Sequence, residues 1–235
     1  MAQALGALRG MLHGSVPCHV VTAHTAMIAQ ARREPDLLGV LNAADLTTAD
    51  GSGILLAGRI LGVRFPERVA GVDLAEGLCA LCARDGLRVF LLGAKPGVAD
   101  AAAAALVRRH PGLQIAGTHH GYFAPEDEPA LLARIRVARP HLLLVGMGFP
   151  PQELWIARHR EALQVPVSIG VGGTLDVMAG VFRRAPAWVQ QAGLEWAYRT
   201  LQEPRRWRVA AGIPGVILLA IRERLRGAPV PTSRD

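Results

Sequence analysis

The chain has 235 residues, a net charge of +7 and three cysteines, and 51% of its residues are hydrophobic. That length suits one large domain, or a domain with an appendage, around a sizeable core. The odd cysteine count (Cys18, Cys79, Cys82) excludes a fully paired disulfide scaffold, and with no leader-like segment a reducing compartment is expected. No apolar run reaches the roughly 18–20 residues needed to cross a bilayer.

The charge is unevenly placed. Residues 183–235 hold ten Arg against Glu195, Glu203, Glu223 and Asp235, a net +6 of the total +7. Inside this tail the apolar run Val209 to Ile221 lies between "RRWR" and "RERLR" and is interrupted by Gly212-Ile213-Pro214-Gly215. A short apolar segment between Arg clusters fits one that lies on an anionic membrane surface, and equally a helix packed on the core. A basic tail on a near-neutral body implies an acidic partner. The expected organisation is a catalytic α/β domain over 1–192 and an Arg-rich helical appendage over 193–235.

Taken in chain order, "CHVVTA" (18–23) reads as a buried strand, followed by helical periodicity to Glu34. A strand near "DLTTA" precedes Asp50, and a helix follows from Gly51. Residues 72–86 form a helix closed by Gly86, and "LRVFLLG" (87–93) is a fully apolar strand. A helix opens near Pro96, where the missing N–H costs nothing. Strand 113–119, a helix with acids in its first turn from Pro125, strand 141–148, helix 152–163 and strand 165–173 complete the alternation. Apolar strands separated by helices imply a mainly parallel Rossmann-like sheet covered on both faces. Ligands of such sheets bind outside the carboxyl ends of the strands. That edge carries "LLGAKPG", "LVGMGFPPQE" and "IGVGGTLD".

Several chemistries are absent. The first strand runs into "VVTAHTAM" without the glycines of a dinucleotide fingerprint, which argues against an NAD(P) oxidoreductase. There is no Gly-Lys-Ser/Thr phosphate loop, no G-x-S-x-G elbow and no Asp-x-Asp metal motif. The histidines lack zinc-site spacing, and His119 and His120 are expected to point apart along a strand. Cys79-Ala-Leu-Cys82 lies in an apolar helical pattern and reads as two buried small residues. A basic nucleic-acid-binding module is the competing class, but aromatics are few and the charge lies beside an apolar run, so no nucleic-acid partner is expected.

"NAADLTTADGSGI", "ERVAGVDL", "RVFLLGAKPGVA", "GTHHGYF", "LLLVGMGFPPQE" and "GVGGTLDVMAG", followed by "RAP", "GLEW" and "QEPRRW", occur in order between Pro17 and Arg208. Together they resemble the WecG/TagA/CpsF glycosyltransferases. The resemblance implies inverting, metal-independent transfer from a UDP-sugar to a polyprenyl-diphosphate-linked saccharide, on the cytoplasmic face of the membrane, with no cofactor. It makes Asp50 the general base. Thr22, Arg68, Gln152 and Asp176 fall on positions that contact sugar or diphosphate, and Tyr122 falls near the nucleotide. Arg199 and Arg206 are expected to close over the diphosphate. Members of the family self-associate, so a homo-oligomer is expected. His24 stands where the family has Asn, which leaves the donor open between an N-acetylmannosamine-type sugar and another hexose such as glucose or a uronic acid.

The residues have plainer readings as well. Asp50 would serve as a cap for the helix starting at Gly51. Arg68 would serve as a surface ion pair, and Gln152 as a polar residue in the first turn of a helix. The chemistry nevertheless suits a carboxylate at Asp50: small Gly and Ser neighbours leave room for two sugars, and a base is needed for the attacking hydroxyl.

Overall fold

The computed structural model describes residues 1–191, 195–202 and 207–226, and its six strands make one all-parallel sheet. They are β1 (Cys18–Ala23), β2 (Leu46–Ala49), β3 (Arg88–Gly93), β4 (Gln114–His119), β5 (Leu142–Gly146) and β6 (Val167–Gly170). All lie within the apolar runs that predict them. The helices are α1 (Ala2–Leu12), α2 (Thr25–Ala31), α3 (Pro35–Asn42), α4 (Ser52–Leu61), α5 (Gly71–Asp85), α6 (Val98–Arg109), α7 (Glu128–Ala138), α8 (Pro151–Leu163), α9 (Thr174–Met178), α10 (Ala187–Gln191), α11 (Glu195–Gln202) and α12 (Trp207–Leu225). The fold is α/β and Rossmann-like, with helices on both faces.

The strand order is β2-β1-β6-β5-β3-β4. The chain steps from β1 outward to β2, crosses to build β3 and β4, and then fills the centre with β5 and β6. The loops after β1, β2, β5 and β6 therefore meet at one edge, where the chain direction across the sheet reverses.

Alternation along each strand feeds two cores. On one face Val20, Leu91, Leu144 and Ile169 pack against Leu8, Leu78, Ala102 and Leu175 of α1, α5, α6 and α9. On the other, Phe90, Leu92, Leu143 and Val145 pack against Leu131, Ile135 and Ile156 of α7 and α8. Cys79 and Cys82 are buried and free in the first of these cores. Burial pushes both thiols up, Cys82 to about 12, which leaves them inert at neutral pH.

Helix α12 packs on α2 and α4. Val216 and Ala220 meet Ala57, with Ile28 and Ile60 beside them. The Gly212–Gly215 interruption lies inside this one helix, with Pro214 in its interior. A cavity of about 340 Å³, almost wholly apolar, lies beneath α12 along the β2 edge, between Ala49, Ile54, Phe65 and Val216. Among the described residues no helix is long and apolar enough to cross a membrane.

Candidate active site

Asp50 follows the last residue of β2, and its backbone N–H donates to the Ala23 carbonyl at 2.8 Å. Helix α4 follows directly. That helix begins after Gly51, at φ +91°, a conformation that L side chains rarely adopt. Asp50 Oδ2 accepts the backbone N–H of Gly71 at 3.0 Å, at the start of α5. Gly71 also marks how close Thr22 lies: a methyl there would sit 3.4 Å from both Asp50 Oδ2 and Thr22 Oγ1. The two neighbouring strand ends thus present a carboxylate and a hydroxyl around one glycine. Thr22 is buried and donates to the Gly170 carbonyl at 3.4 Å.

Gln152 is 3% exposed in the first turn of α8. Its Oε1 accepts the Gly172 N–H at 2.9 Å, just before the short helix that carries Asp176. Asp176 is half-buried there, and its carbonyl accepts the N–H of Val181 at 2.9 Å. His24 is the N-cap of α2, and its Nδ1 accepts the Met27 N–H at 3.4 Å. Asn is a preferred N-cap for the same reason, so His can keep the capping task while presenting a larger ring. That ring stands edge-on to Phe149 with centroids 5.8 Å apart.

Thr22, His24, Asp50, Gln152 and Asp176 therefore gather at the carboxyl ends of β1, β2, β5 and β6. Arg68 reaches the C-terminal helices: its guanidinium donates to the Gln190 carbonyl and to Glu195 Oε2, each at 3.4 Å. Arg184, in "RRAP", joins the same cluster. It is bidentate to Asp73, with one contact at 2.6 Å, and reaches Glu195 at 3.4 Å. The Asp73 hydrogen bond raises its already high pKa further. Tyr122 is 69% exposed on the loop after β4. Its neighbour Gly121 faces Met147 of the β5 loop. His119 and His120 do not point apart. The strand ends at His119, so alternation no longer applies, and the two rings lie 4.6 Å apart. Arg199 sits on α11, and Arg206 lies outside the described residues.

Reading the sequence alone misses the Gly71 contact of Asp50, because a backbone N–H has no side-chain signature. It also misses Glu153 and His19, which are 0% and 2% exposed beneath Gln152. The available signals are a charged residue directly after Gln152 and a polar residue in the apolar strand "CHVVTA". Among the described residues no three His, Cys, Asp or Glu side chains form a metal-holding group.

Residues 1–229 match the Glycosyl transferase WecG/TagA/CpsF family. Similar proteins include the N-acetylglucosaminyldiphosphoundecaprenol N-acetyl-beta-D-mannosaminyltransferases of Staphylococcus aureus strains MW2, NCTC 8325 / PS 47 and COL. Each is 36% identical over 195 residues, covering 83% of this chain and 76% of the relative. With the family matched over nearly the whole length and the fold in place, the chain belongs to the WecG/TagA/CpsF glycosyl transferase family.

Proposed function

We propose that this chain transfers a hexose from a UDP-sugar to a hydroxyl of a polyprenyl-diphosphate-linked saccharide, with inversion and without a metal or cofactor. The observation that carries the reading is the Asp50 carboxylate, fixed against the start of α5 and flanked by Thr22 at the sheet's ligand edge. The acceptor class follows from the relatives, whose names specify an N-acetylglucosaminyldiphosphoundecaprenol acceptor.

The acceptor oxygen attacks the anomeric carbon from the face opposite the nucleotide. The bond to the UDP oxygen breaks as the new glycosidic bond forms, and UDP leaves with the electron pair. Asp50 takes the acceptor's hydroxyl proton, a task typically worth about 10²–10⁴-fold. Charge develops on the departing diphosphate. Guanidinium forks suit a diphosphate, and this role is assigned to Arg68 with Arg199 and Arg206 of the C-terminal segment. In this structure Glu195 occupies Arg68, so the diphosphate would take over that partnership. Thr22, His24, Gln152 and Asp176 would hold the donor sugar, and Tyr122 would border the nucleotide.

The appendage, residues 193–235, is assigned to an anionic membrane face, on the cytoplasmic side where nucleotide sugars are made. Opposite its packed face, α12 exposes Leu218, Ile221 and Leu225, with Arg222, Arg224 and Arg226 alongside. That combination suits the interface between headgroups and acyl chains. The donor is an N-acetylmannosamine-type sugar or a related hexose. The His24 ring in place of Asn favours testing glucose and uronic acids beside it.

The test is transfer from a panel of UDP-sugars to a short-chain polyprenyl-diphosphate-linked GlcNAc, with EDTA present. One donor should be consumed, giving an inverted product. Turnover that stops in EDTA and returns with a divalent ion would overturn the metal-free reading. No turnover of any UDP-sugar, with metal or without, would overturn the donor class.

A further inference from the structure

Glu153 and His19 have no part in the transfer just outlined, yet both are sealed inside the protein beneath the site. His19 Nε2 lies 2.7 Å from Glu153 Oε2. The other carboxylate oxygen, Oε1, accepts the Gln152 amide N–H at 2.8 Å. The Gln152 carbonyl in turn accepts the Gly172 N–H at 2.9 Å. Each partner fixes the next. A carboxylate only accepts and a backbone N–H only donates, so the Gln152 amide has one consistent orientation. The carboxylate likewise requires the proton on His19 Nε2. An acid in the first turn of a helix is favourable at the surface. Burying it adds a desolvation cost that such a dipole effect does not require, so a more specific task explains the burial.

We infer that Glu153, backed by His19, is a positioning residue for this site. It holds the Gln152 amide so that its carbonyl grips Gly172, which sets the Gly172–Gly173 turn delivering Asp176. The second amide hydrogen of Gln152 is left for an oxygen of the sugar-diphosphate donor. That last role rests on the UDP-sugar reading, whereas the relay from His19 to Gly172 stands on geometry alone. Gly170 belongs to the same frame: its carbonyl accepts from Thr22, and its bare Cα lies against Glu153 and Gln152.

The decisive variant is the double substitution His19→Leu with Glu153→Met. It replaces the pair with apolar groups of similar size and leaves no orphaned buried charge, an exchange that proteins often tolerate. Two readouts are taken on the full chain. In the first, Gly172 amide exchange should accelerate by about tenfold or more, while the β3 and β5 amides stay protected. In the second, donor KM should rise about tenfold with kcat within about threefold. A merely structural role would leave both as in the wild type, and a folded double variant with a protected Gly172 would overturn the inference. Gln152→Ala is the second arm, since it keeps the His19–Glu153 pair intact. It must release Gly172 in the same way, and a folded Gln152→Ala with a protected Gly172 would equally overturn the relay. The exchange readout needs no substrate. A protein that turns over no UDP-sugar therefore overturns the donor reading, and Gly172 exchange still decides the relay.

Discussion

Replacing Gly170 with Ala should destabilise this protein far more than one methyl group suggests. A Cβ at position 170 would lie 2.2 Å from Glu153 Oε1, 2.4 Å from Gln152 Nε2 and 2.9 Å from Glu153 Cδ. Ordinary contact would require the carboxylate to retreat by roughly 1 Å. Glu153 is fully buried, and its second oxygen is held 2.7 Å from a buried His19, so no solvent-facing exit exists. Overpacking of this kind costs about 1–3 kcal/mol. Losing a buried hydrogen bond to a charged group adds about 1.5–3 kcal/mol. The sum, about 2.5–6 kcal/mol, corresponds to a fall in Tm of about 5–24 °C for a chain of this size. The assay is thermal unfolding followed by circular dichroism, with Gly39→Ala as the control. Gly39 is exposed within α3 and an added methyl meets nothing within 4 Å, so that variant should gain about 0.5–1 kcal/mol. A Gly170→Ala protein melting within about 2 °C of wild type would refute the reasoning, because Glu153 would then have room to move.

Two further outcomes are expected. Ending the chain before residue 193 removes α12 and uncovers Ala57, Ile28 and Ile60, so the shortened protein should lose both thermal stability and transfer; full activity in it would remove any role for the C-terminal Arg residues. Burial, helped by the nearby Arg88 charge, holds His141 below its ordinary 6.5, and its Nδ1 accepts the Arg88 N–H at 3.1 Å. The unfolded chain then takes up this proton more readily than the native one. The contribution is present above about pH 6.5 and is lost as pH falls below it. Melting between pH 7.5 and 5 should show a smaller drop for His141→Asn than for wild type, and equal drops would contradict the assignment. Asp85, held at about 2 mainly by Arg9, titrates below this window.

The strands were legible because fully apolar runs such as "LRVFLLG" have little choice but a sheet buried on both faces. Helices α1 and α3 were not. α1 carries its core contacts on few residues, Leu8 and Leu12 being its buried pair, and α3 starts at Pro35 almost directly after α2. Strand order was also hidden, since the pairing of β1 with β6 joins Cys18 to Val167 across most of the chain. At the site, a strand end followed by Asp50-Gly51 was legible, and Asp50 does follow β2 directly. The Gly71 contact of Asp50 did not show, because it is made by a backbone amide 21 residues on. The His19–Glu153 pair spans 134 residues, and no local pattern links a strand histidine to a helix glutamate at that separation.

Asp50→Asn tests the central claim most directly. Asn keeps an oxygen to accept the Gly71 N–H, so the fold and donor binding should survive, but it cannot take a proton from the acceptor hydroxyl. With the preferred UDP-sugar and the lipid-linked acceptor in EDTA, kcat should fall by at least about 100-fold, with donor KM little changed. Turnover within about threefold of wild type would mean that Asp50 is a structural tie between β2 and α5, and that the base lies elsewhere.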